Sequence, residues 1–470
     1  MKTKLLLVGL FGVAFCYGQD VAQQLNAAVK KLEADSQCKH AIVSLYVVES
    51  KTGKVVFDNN AQIGLAPASC QKVVTSVSGF EMLGKDFRYK TYIGKDYPSN
   101  LDSADAGCLF VIGSGDPTLG SPRWKSTSAT TLFTTVLNAL KKNKFYKFSE
   151  DVVMEDYLYG TNVIPDGWIW QDIGNYYGAG CFSINWKENQ YDFSLQPDAK
   201  VGFPAEIAGV EPVLYDVAFD NKIRTGLPGS GDNGYLYTAP FSNIIAARGT
   251  VPKQGKPFTI SGSMPNPSKV LAMELRNYLL KNNISFGGST YSALEHALYN
   301  LPAHLATHII DSVSSPSYDS INYWFLKKSV NLFGEAFVKT IAYEKTKFGS
   351  TDTGIAIIKN FWQQKGIEPS ALNIIDGSGL SPANRVTTNA LVTVMQYAKK
   401  QNWYSSFYNA LPEMNGIKMK DGYINGVRSY TGYIKSKSGA EYTFSFIVNN
   451  FSGSAGTVRE KMWKVLDLLK

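Results

Sequence analysis

A hydroxyl and an amine stand three residues apart in Pro67-Ala68-Ser69-Cys70-Gln71-Lys72, just ahead of the apolar run Val73-Val74-Thr75-Ser76-Val77. On a helix this spacing puts both side chains on one face. The amine of Lys72 can then take the proton of Ser69, provided burial or a neighbouring charge keeps that amine neutral. This is the minimum a serine nucleophile needs. Pro67 biases Ala66 away from helical angles, so Ser69 is expected to open the helix with its oxygen in the positive end of the backbone dipole. The pattern is cheap by itself, since Ser36 and Lys39 repeat it. Cys70 reads as a small packing residue, with a thiol nucleophile as the minor alternative.

Other chemistries are poorly supplied. The four histidines are His40, His296, His304 and His308. His304 and His308 are spaced for one helix face, but no glutamate follows His304 and no third ligand is evident, so neither a metal centre nor a cofactor is expected. A Ser-His-Asp triad lacks its nucleophile elbow, and no phosphate-binding loop is present. Two further elements follow Ser69-x-x-Lys72 in order, Ser329-Val330-Asn331 and Lys437-Ser438-Gly439. Decoys exist for both. Ser183-Ile184-Asn185 and Ser320-Ile321-Asn322 match the second, and Lys51-Thr52-Gly53, better explained as a hairpin turn, matches the third. Ser329 is preferred because it sits in a short break between predicted helices 317–328 and 332–345. Lys437 is preferred because it follows a β run at 433–436, with a strand at 442–448 and a helix at 458–469 behind it.

Ser-x-x-Lys, Ser-x-Asn and Lys-Ser/Thr-Gly together are the element set of serine β-lactamases and penicillin-binding proteins. With them in place, the chain resembles the serine DD-carboxypeptidase/DD-endopeptidase group, the low-molecular-mass class C penicillin-binding proteins, over nearly its whole length. Three more stretches look like this family's landmarks: Ile112-Gly113-Ser114-Gly115-Asp116-Pro117-Thr118-Leu119, Trp170-Gln171-Asp172-Ile173-Gly174-Asn175-Tyr176-Tyr177-Gly178-Ala179, and Asp376-Gly377-Ser378-Gly379-Leu380-Ser381. Ser315-Pro316 also fits and favours Ser329 over Ser320. Val330 stands where many relatives carry aspartate, Ser438 replaces the commoner threonine, and Pro382 stands where an arginine often follows Gly-Leu-Ser.

The resemblance implies a mixed α/β (α+β) fold, a β-lactamase/transpeptidase-like domain whose antiparallel sheet is flanked by helices and interrupted by β-rich insert domains. It implies Ser69 as nucleophile toward the penultimate D-alanine, Lys72 as base, and Ser329 as proton relay to the leaving amine. Asn331 would offer an amide to the substrate backbone and to Lys72. Lys437 and Ser438 would hold the terminal carboxylate. The oxyanion would meet the backbone N–H groups of Ser69 and Ala440, beside Gly439. Asp172 would face the peptide stem. Peptidoglycan stem peptides are the implied substrate and β-lactam antibiotics the implied acylating inhibitors. A β-lactamase or esterase of the same fold, and a catalytically silent envelope-binding protein, remain open as alternatives.

The elements that must position these residues are legible in outline. The chain has 470 residues and a net charge of +8, enough for several domains without staples. Lys2 and Lys4 precede an apolar run from Leu5 to Phe15, and residues 1–18 read as an export signal, too short to span a bilayer. Phe15 before Cys16 fits a lipid-attachment site poorly, so a periplasmic location is expected. The mild basic excess suits peripheral contact with an anionic envelope, whereas no basic block or helix points to nucleic acid. Cys38, Cys70, Cys108 and Cys181 are spaced too irregularly to require disulfides. A helix at 21–32, a hairpin over 41–48 and 55–57, and the helix from Ser69 begin a catalytic domain comprising 19–85 and 300–470. Residues 86–299, rich in short β runs and turn residues, read as an insertion of two small domains.

Overall fold

The computed structural model describes residues 21–96 and 106–470. The export signal expected at 1–18 lies outside the described residues. Contacts divide the chain into two compact units. The first comprises residues up to Met82, Asn322–Val330 and Ile355–Lys470. The second comprises Leu83–Ile321 and Asn331–Gly354.

In the first unit the β-branched run Ile42–Glu49 is buried along nearly its whole length, as a strand covered on both faces must be. It is the fifth strand of a six-stranded antiparallel sheet in the order Glu413–Met414, Ile417–Ile424, Val427–Lys435, Glu441–Asn449, Ile42–Glu49, Val55–Asn59. Leu25, Val29 and Leu32 recur at helical spacing and are buried with Val43, Leu45, Phe446, Val458 and Met462 on one face. Each such side chain contributes about 1.5–3 kcal/mol of burial. On the other face Val48 packs with Val392 of the helix Thr388–Ala398, and Ser44 hydrogen-bonds Thr388 at 2.8 Å. The helix Lys72–Met82 is held in the same unit by Phe80 stacked on Trp403 at 4.7 Å and by the Trp362 indole donating to Ser78 Oγ at 2.9 Å. Helices on both sides of an antiparallel sheet match the expected fold class. The strand Ile417–Ile424 is an addition to the elements expected from the sequence.

The second unit holds a five-stranded sheet in the order Thr290–Ser292, Val152–Glu155, Leu109–Ile112, Lys90–Lys95, His308–Ser314, and two three-stranded sheets. One core runs through them, including Trp186, Phe193, Leu236, Ile245, Leu271 and Leu275. This unit reaches past residue 299, because His308–Ser314 pairs antiparallel with Lys90–Lys95 and Thr340, on the helix Asn331–Thr346, bonds the Tyr89 hydroxyl at 2.9 Å. All four cysteines among the described residues are buried free thiols.

After the strand Leu109–Ile112 the chain turns through Gly113-Ser114-Gly115-Asp116-Pro117-Thr118. Gly115 has φ +78° and its Cα lies against the Tyr159 ring, where a Cβ would meet the phenol oxygen at 1.8 Å. Asp116 is fully buried; its Oδ1 accepts from the Thr118 amide at 2.8 Å and hydroxyl at 2.7 Å, while Oδ2 has no partner. Burial pushes its carboxyl up to about 6, partly offset by the Thr118 bonds. A folded-state pKa raised above the unfolded one means that this group's stability is fully present below about pH 4 and lost as pH rises through about 6. The total loss is on the order of 3 kcal/mol. Asp116→Asn keeps the Oδ1 acceptor and removes the titration. Thermal unfolding from pH 4 to 7 is therefore expected to show the variant gaining on the wild type by several degrees, with no further gain above pH 7.

Candidate active site

Ser69 sits in a tight turn, Ala68–Gln71, that leads directly into the helix Lys72–Met82. Ala68 before it is fully buried and held at φ +45°, a left-handed conformation that a non-glycine residue adopts only when its surroundings impose it. Ser69 is half-buried. The fully buried Lys72 lies within hydrogen-bond distance, Nζ to Ser69 Oγ 2.9 Å, and also donates to the Ser378 carbonyl at 2.7 Å. The Phe325 ring is 5.8 Å from the same nitrogen. The predicted nucleophile and base are thus together. The thiol alternative is excluded, because Cys70 is fully buried, its Sγ points to the Lys420 carbonyl at 3.2 Å, and burial pushes the thiol up to about 11.

The landmark Asp376-Gly377-Ser378-Gly379-Leu380-Ser381 acts through backbone geometry. Buried Asp376 receives the Gln71 side chain at 2.9 Å, the Gly379 amide at 2.8 Å, the Asn384 amide group at 3.0 Å and the Ser381 amide at 2.7 Å. These bonds curl the loop so that the Ser378 carbonyl aims at Lys72. Gly379 has φ +80°, and a Cβ there would lie 2.0 Å from the Ala68 carbonyl. Asp376 is therefore a positioning residue for the base.

The third element is not where the sequence placed it. Lys437-Ser438-Gly439 forms the exposed turn between the strands Val427–Lys435 and Glu441–Asn449. That turn satisfies itself: the Ser436 amide donates to the Ala440 carbonyl at 2.7 Å, the Gly439 amide to the Ser436 carbonyl at 3.0 Å, and the Ala440 amide to Ser436 Oγ at 3.0 Å. Ser438 Oγ shares a 2.8 Å bond with Ser436. The Ala440 N–H is thus already engaged. The part of this strand level with the nucleophile is Ser429, which donates to the Pro67 carbonyl at 2.6 Å. Lys435 lies about 20 Å further along the extended chain, and Lys437 lies beyond it. Lys437, Ser438, Gly439 and Ala440 are hairpin residues, as Lys51-Thr52-Gly53 is.

The strand Ile417–Ile424 takes that place with Lys420-Asp421-Gly422. A Cβ on Gly422 would meet Ser429 Oγ at 2.3 Å, the Pro67 carbonyl at 2.7 Å and the Ser69 nitrogen at 2.8 Å, so only glycine lets the strand lie against the nucleophile's turn. Lys420 is buried and donates to the Asp421 carbonyl at 2.7 Å and carboxylate at 3.0 Å. The Arg428 guanidinium is 3.9 Å from the other carboxylate oxygen. Burial works to raise the Asp421 carboxyl, but the Lys420 and Arg428 charges outweigh it and hold the group below the ordinary carboxylate range. The signal for this strand is the alternation Ile417-Lys418-Met419-Lys420 running into Asn425-Gly426, a two-residue hairpin turn. Aspartate in place of a hydroxyl residue conceals it.

Ser329 is half-buried at φ +57°, two residues beyond the helix Tyr318–Lys327 that carries Phe325 to Lys72. Asn331 opens the helix Asn331–Thr346 of the second unit, where its amide donates to the Tyr177 carbonyl at 2.7 Å. Asp172 is half-buried in the same unit; burial raises its carboxyl, partly offset by a hydrogen bond from the Tyr177 hydroxyl. Tyr177 thus ties these two residues together. In the aromatic stretch nearby, Trp168 is buried, whereas Ile169, Trp170 and Tyr176 are exposed. Among the described residues no helix is long and apolar enough to cross a membrane.

The family model of D-Ala-D-Ala carboxypeptidase 3 (S13) matches residues 25–468. A D-alanyl-D-alanine carboxypeptidase of Actinomadura sp. (strain R39) is 23% identical over 460 residues, covering 92% of this chain and 82% of that protein. The D-alanyl-D-alanine carboxypeptidase DacB of Haemophilus influenzae is 23% identical over 423 residues, covering 85% and 83%. The crystal structure of penicillin binding protein 4 (dacB) from Haemophilus influenzae superposes with a TM-score of 0.77 at 20% identity, covering 96% of this chain and 99% of that one. A further structure of that protein is complexed with a novel β-lactam, with a TM-score of 0.72.

The two placements of the third element make opposite predictions. Lys420→Ala is expected to slow adduct formation by benzylpenicillin at least about 100-fold, and Lys437→Ala to leave it within about twofold, as followed by intact-mass spectrometry on variants with matched thermal unfolding. The reverse ranking would restore the hairpin lysine.

Proposed function

Because the chain belongs to the D-Ala-D-Ala carboxypeptidase 3 (S13) family and is a serine-type DD-peptidase, we propose that Ser69 Oγ attacks the penultimate D-alanine carbonyl while Lys72, acting as the neutral amine, takes its proton. The C–N bond breaks as Ser329 passes a proton to the leaving amine. Water then cleaves the acyl-serine ester and regenerates Ser69. The observation that carries this reading is the 2.9 Å approach of Lys72 Nζ to Ser69 Oγ, with Ser378 fixing the amine from the other side. Lys420 supplies the positive potential assigned from sequence to Lys437. The backbone N–H groups of Ser69 and Tyr423, the residue after Gly422, form the oxyanion pair. Asn331 and Asp172 keep the roles implied by the family resemblance, toward the substrate backbone and the peptide stem. The protein is exported and acts on peptidoglycan in the periplasm, and β-lactams acylate Ser69.

Asp421 refines the substrate. Where the family places a hydroxyl donor for a free carboxylate, this chain carries an ionised, acceptor-only group paired with Lys420 and Arg428. A substrate carboxylate there meets a like charge. The site therefore favours D-alanyl bonds whose leaving residue has no adjacent free carboxylate, so internal bonds with that acid amidated or absent are cleaved in preference to free chain ends.

Ser69→Ala should abolish turnover and penicillin labelling while the protein still folds; hydrolysis undiminished in this variant would remove the mechanism. For specificity, acyl-D-Ala-D-Ala peptides ending in carboxamide and in free acid would be compared. Wild type should prefer the carboxamide, and Asp421→Thr should raise kcat/KM for the free acid about tenfold or more. A fluorophosphonate carries no carboxylate, so its labelling of Ser69 reports the nucleophile separately from this preference.

A further inference from the structure

Outside the catalytic machinery, the second unit gathers four metal-binding side chains, Asp96, Cys108, Glu150 and His304, with one donor atom from each all within 4.8 Å of one another. His304 Nδ1 is 3.1 Å from Asp96 Oδ2 and 3.5 Å from Glu150 Oε2, and Cys108 Sγ is 3.3 Å from Glu150 Oε2. Topology accounts for the gathering. Lys90–Lys95 runs antiparallel to Leu109–Ile112, so Asp96, just past the end of one strand, lies beside Cys108, just before the start of the other. Leu109–Ile112 runs parallel to Val152–Glu155, which puts Glu150 at the same end. His308 pairs with Lys95, so the loop ahead of it delivers His304 there too. That loop is anchored: the Tyr291 hydroxyl accepts from the His304 amide at 3.1 Å, the Leu301 amide bonds the His296 carbonyl at 2.8 Å, and the Thr307 amide bonds the Lys95 carbonyl at 3.0 Å.

We propose that Asp96, Cys108, Glu150 and His304 bind one zinc ion as a structural site. Tetrahedral zinc with nitrogen, oxygen and thiolate ligands at about 2.0–2.3 Å needs donors about 3.3–3.8 Å apart, which the observed separations approach with small adjustments. Binding releases the Cys108 proton, and the thiolate, two carboxylates and neutral imidazole close the coordination shell. Four protein ligands leave no position for a substrate water, so the ion clamps four neighbouring strand ends and does not catalyse. His304 and Glu150 are partly exposed and give the ion its entry path. His308, the partner suggested by spacing, bonds Thr307 instead. The ligands that join His304 come from three distant points of the chain, which is why none is evident from sequence.

The test uses the full chain purified with zinc and then dialysed against a chelator. One equivalent of zinc by elemental mass spectrometry, a melting temperature that falls by several degrees on chelation and returns with zinc, and a thiolate-to-cobalt charge-transfer band after Co²⁺ replacement are expected. His304→Ala, at an exposed position, should fold and lose the metal-dependent shift, and Cys108→Ser should lose the charge-transfer band. Substoichiometric zinc without a thermal shift would overturn the proposal. So would full zinc binding retained by His304→Ala.

Discussion

The contact on which the catalytic unit turns is the bare-backbone approach of the strand Ile417–Ile424 to the turn that holds Ser69. At Gly422 the spacing leaves no room for a methyl group, since the Pro67 carbonyl, the Ser69 amide nitrogen and Ser429 Oγ already lie within 3 Å of where a Cβ would stand. Ser429 from the neighbouring strand pins Pro67, and the Cys70 thiol meets the Lys420 carbonyl. The sheet thus sets the height and tilt of the nucleophile's turn. The helix Lys72–Met82 then projects the base from a position already fixed.

Around this contact the charges are arranged by the loop and by the strand Ile417–Ile424, not by the helix. Asp376 accepts backbone and amide donors that curl its loop, so its contribution to the site is the direction of the Ser378 carbonyl. Lys420 is buried beside the nucleophile's turn with an acid as its immediate neighbour. Positive potential beside the serine is retained, while the group that would greet a carboxylate has changed sign of preference. The proposed preference for bonds without an adjacent free carboxylate therefore rests on Asp421, paired with Lys420 and Arg428, and leaves nucleophile and base untouched.

Much of this chain is legible in its local sequence. The nucleophile and base are close neighbours along the chain, and their three-residue spacing brings them together across the tight turn that leads into the helix Lys72–Met82. The hairpin at 42–59, the opening helix and the flanking helices follow from periodicities that each segment carries within itself. The thiol alternative at Cys70 is dismissed only by burial, which depends on what packs over it. The extent of the second unit rests on the pairing of His308–Ser314 with Lys90–Lys95, between residues more than two hundred positions apart.

The third element shows where sequence stops. Lys437-Ser438-Gly439 and Lys420-Asp421-Gly422 have the same outline, and the first matches the family's chemistry better by type. What separates them is register: Gly422 pairs with Ser429, the residue bonded to Pro67, while Gly439 lies past the strand's far end. Likewise His304 offers no metal set until four strand ends are brought to one edge of a sheet. Sequence by itself determined the chemistry available, a serine with a lysine one helical turn away in a mixed α/β chain. Only the tertiary structure decided which lysine and glycine stand beside that serine, because strand pairing is a non-local choice. A shift along a strand changes a residue's neighbours by many ångströms while leaving its local pattern unchanged.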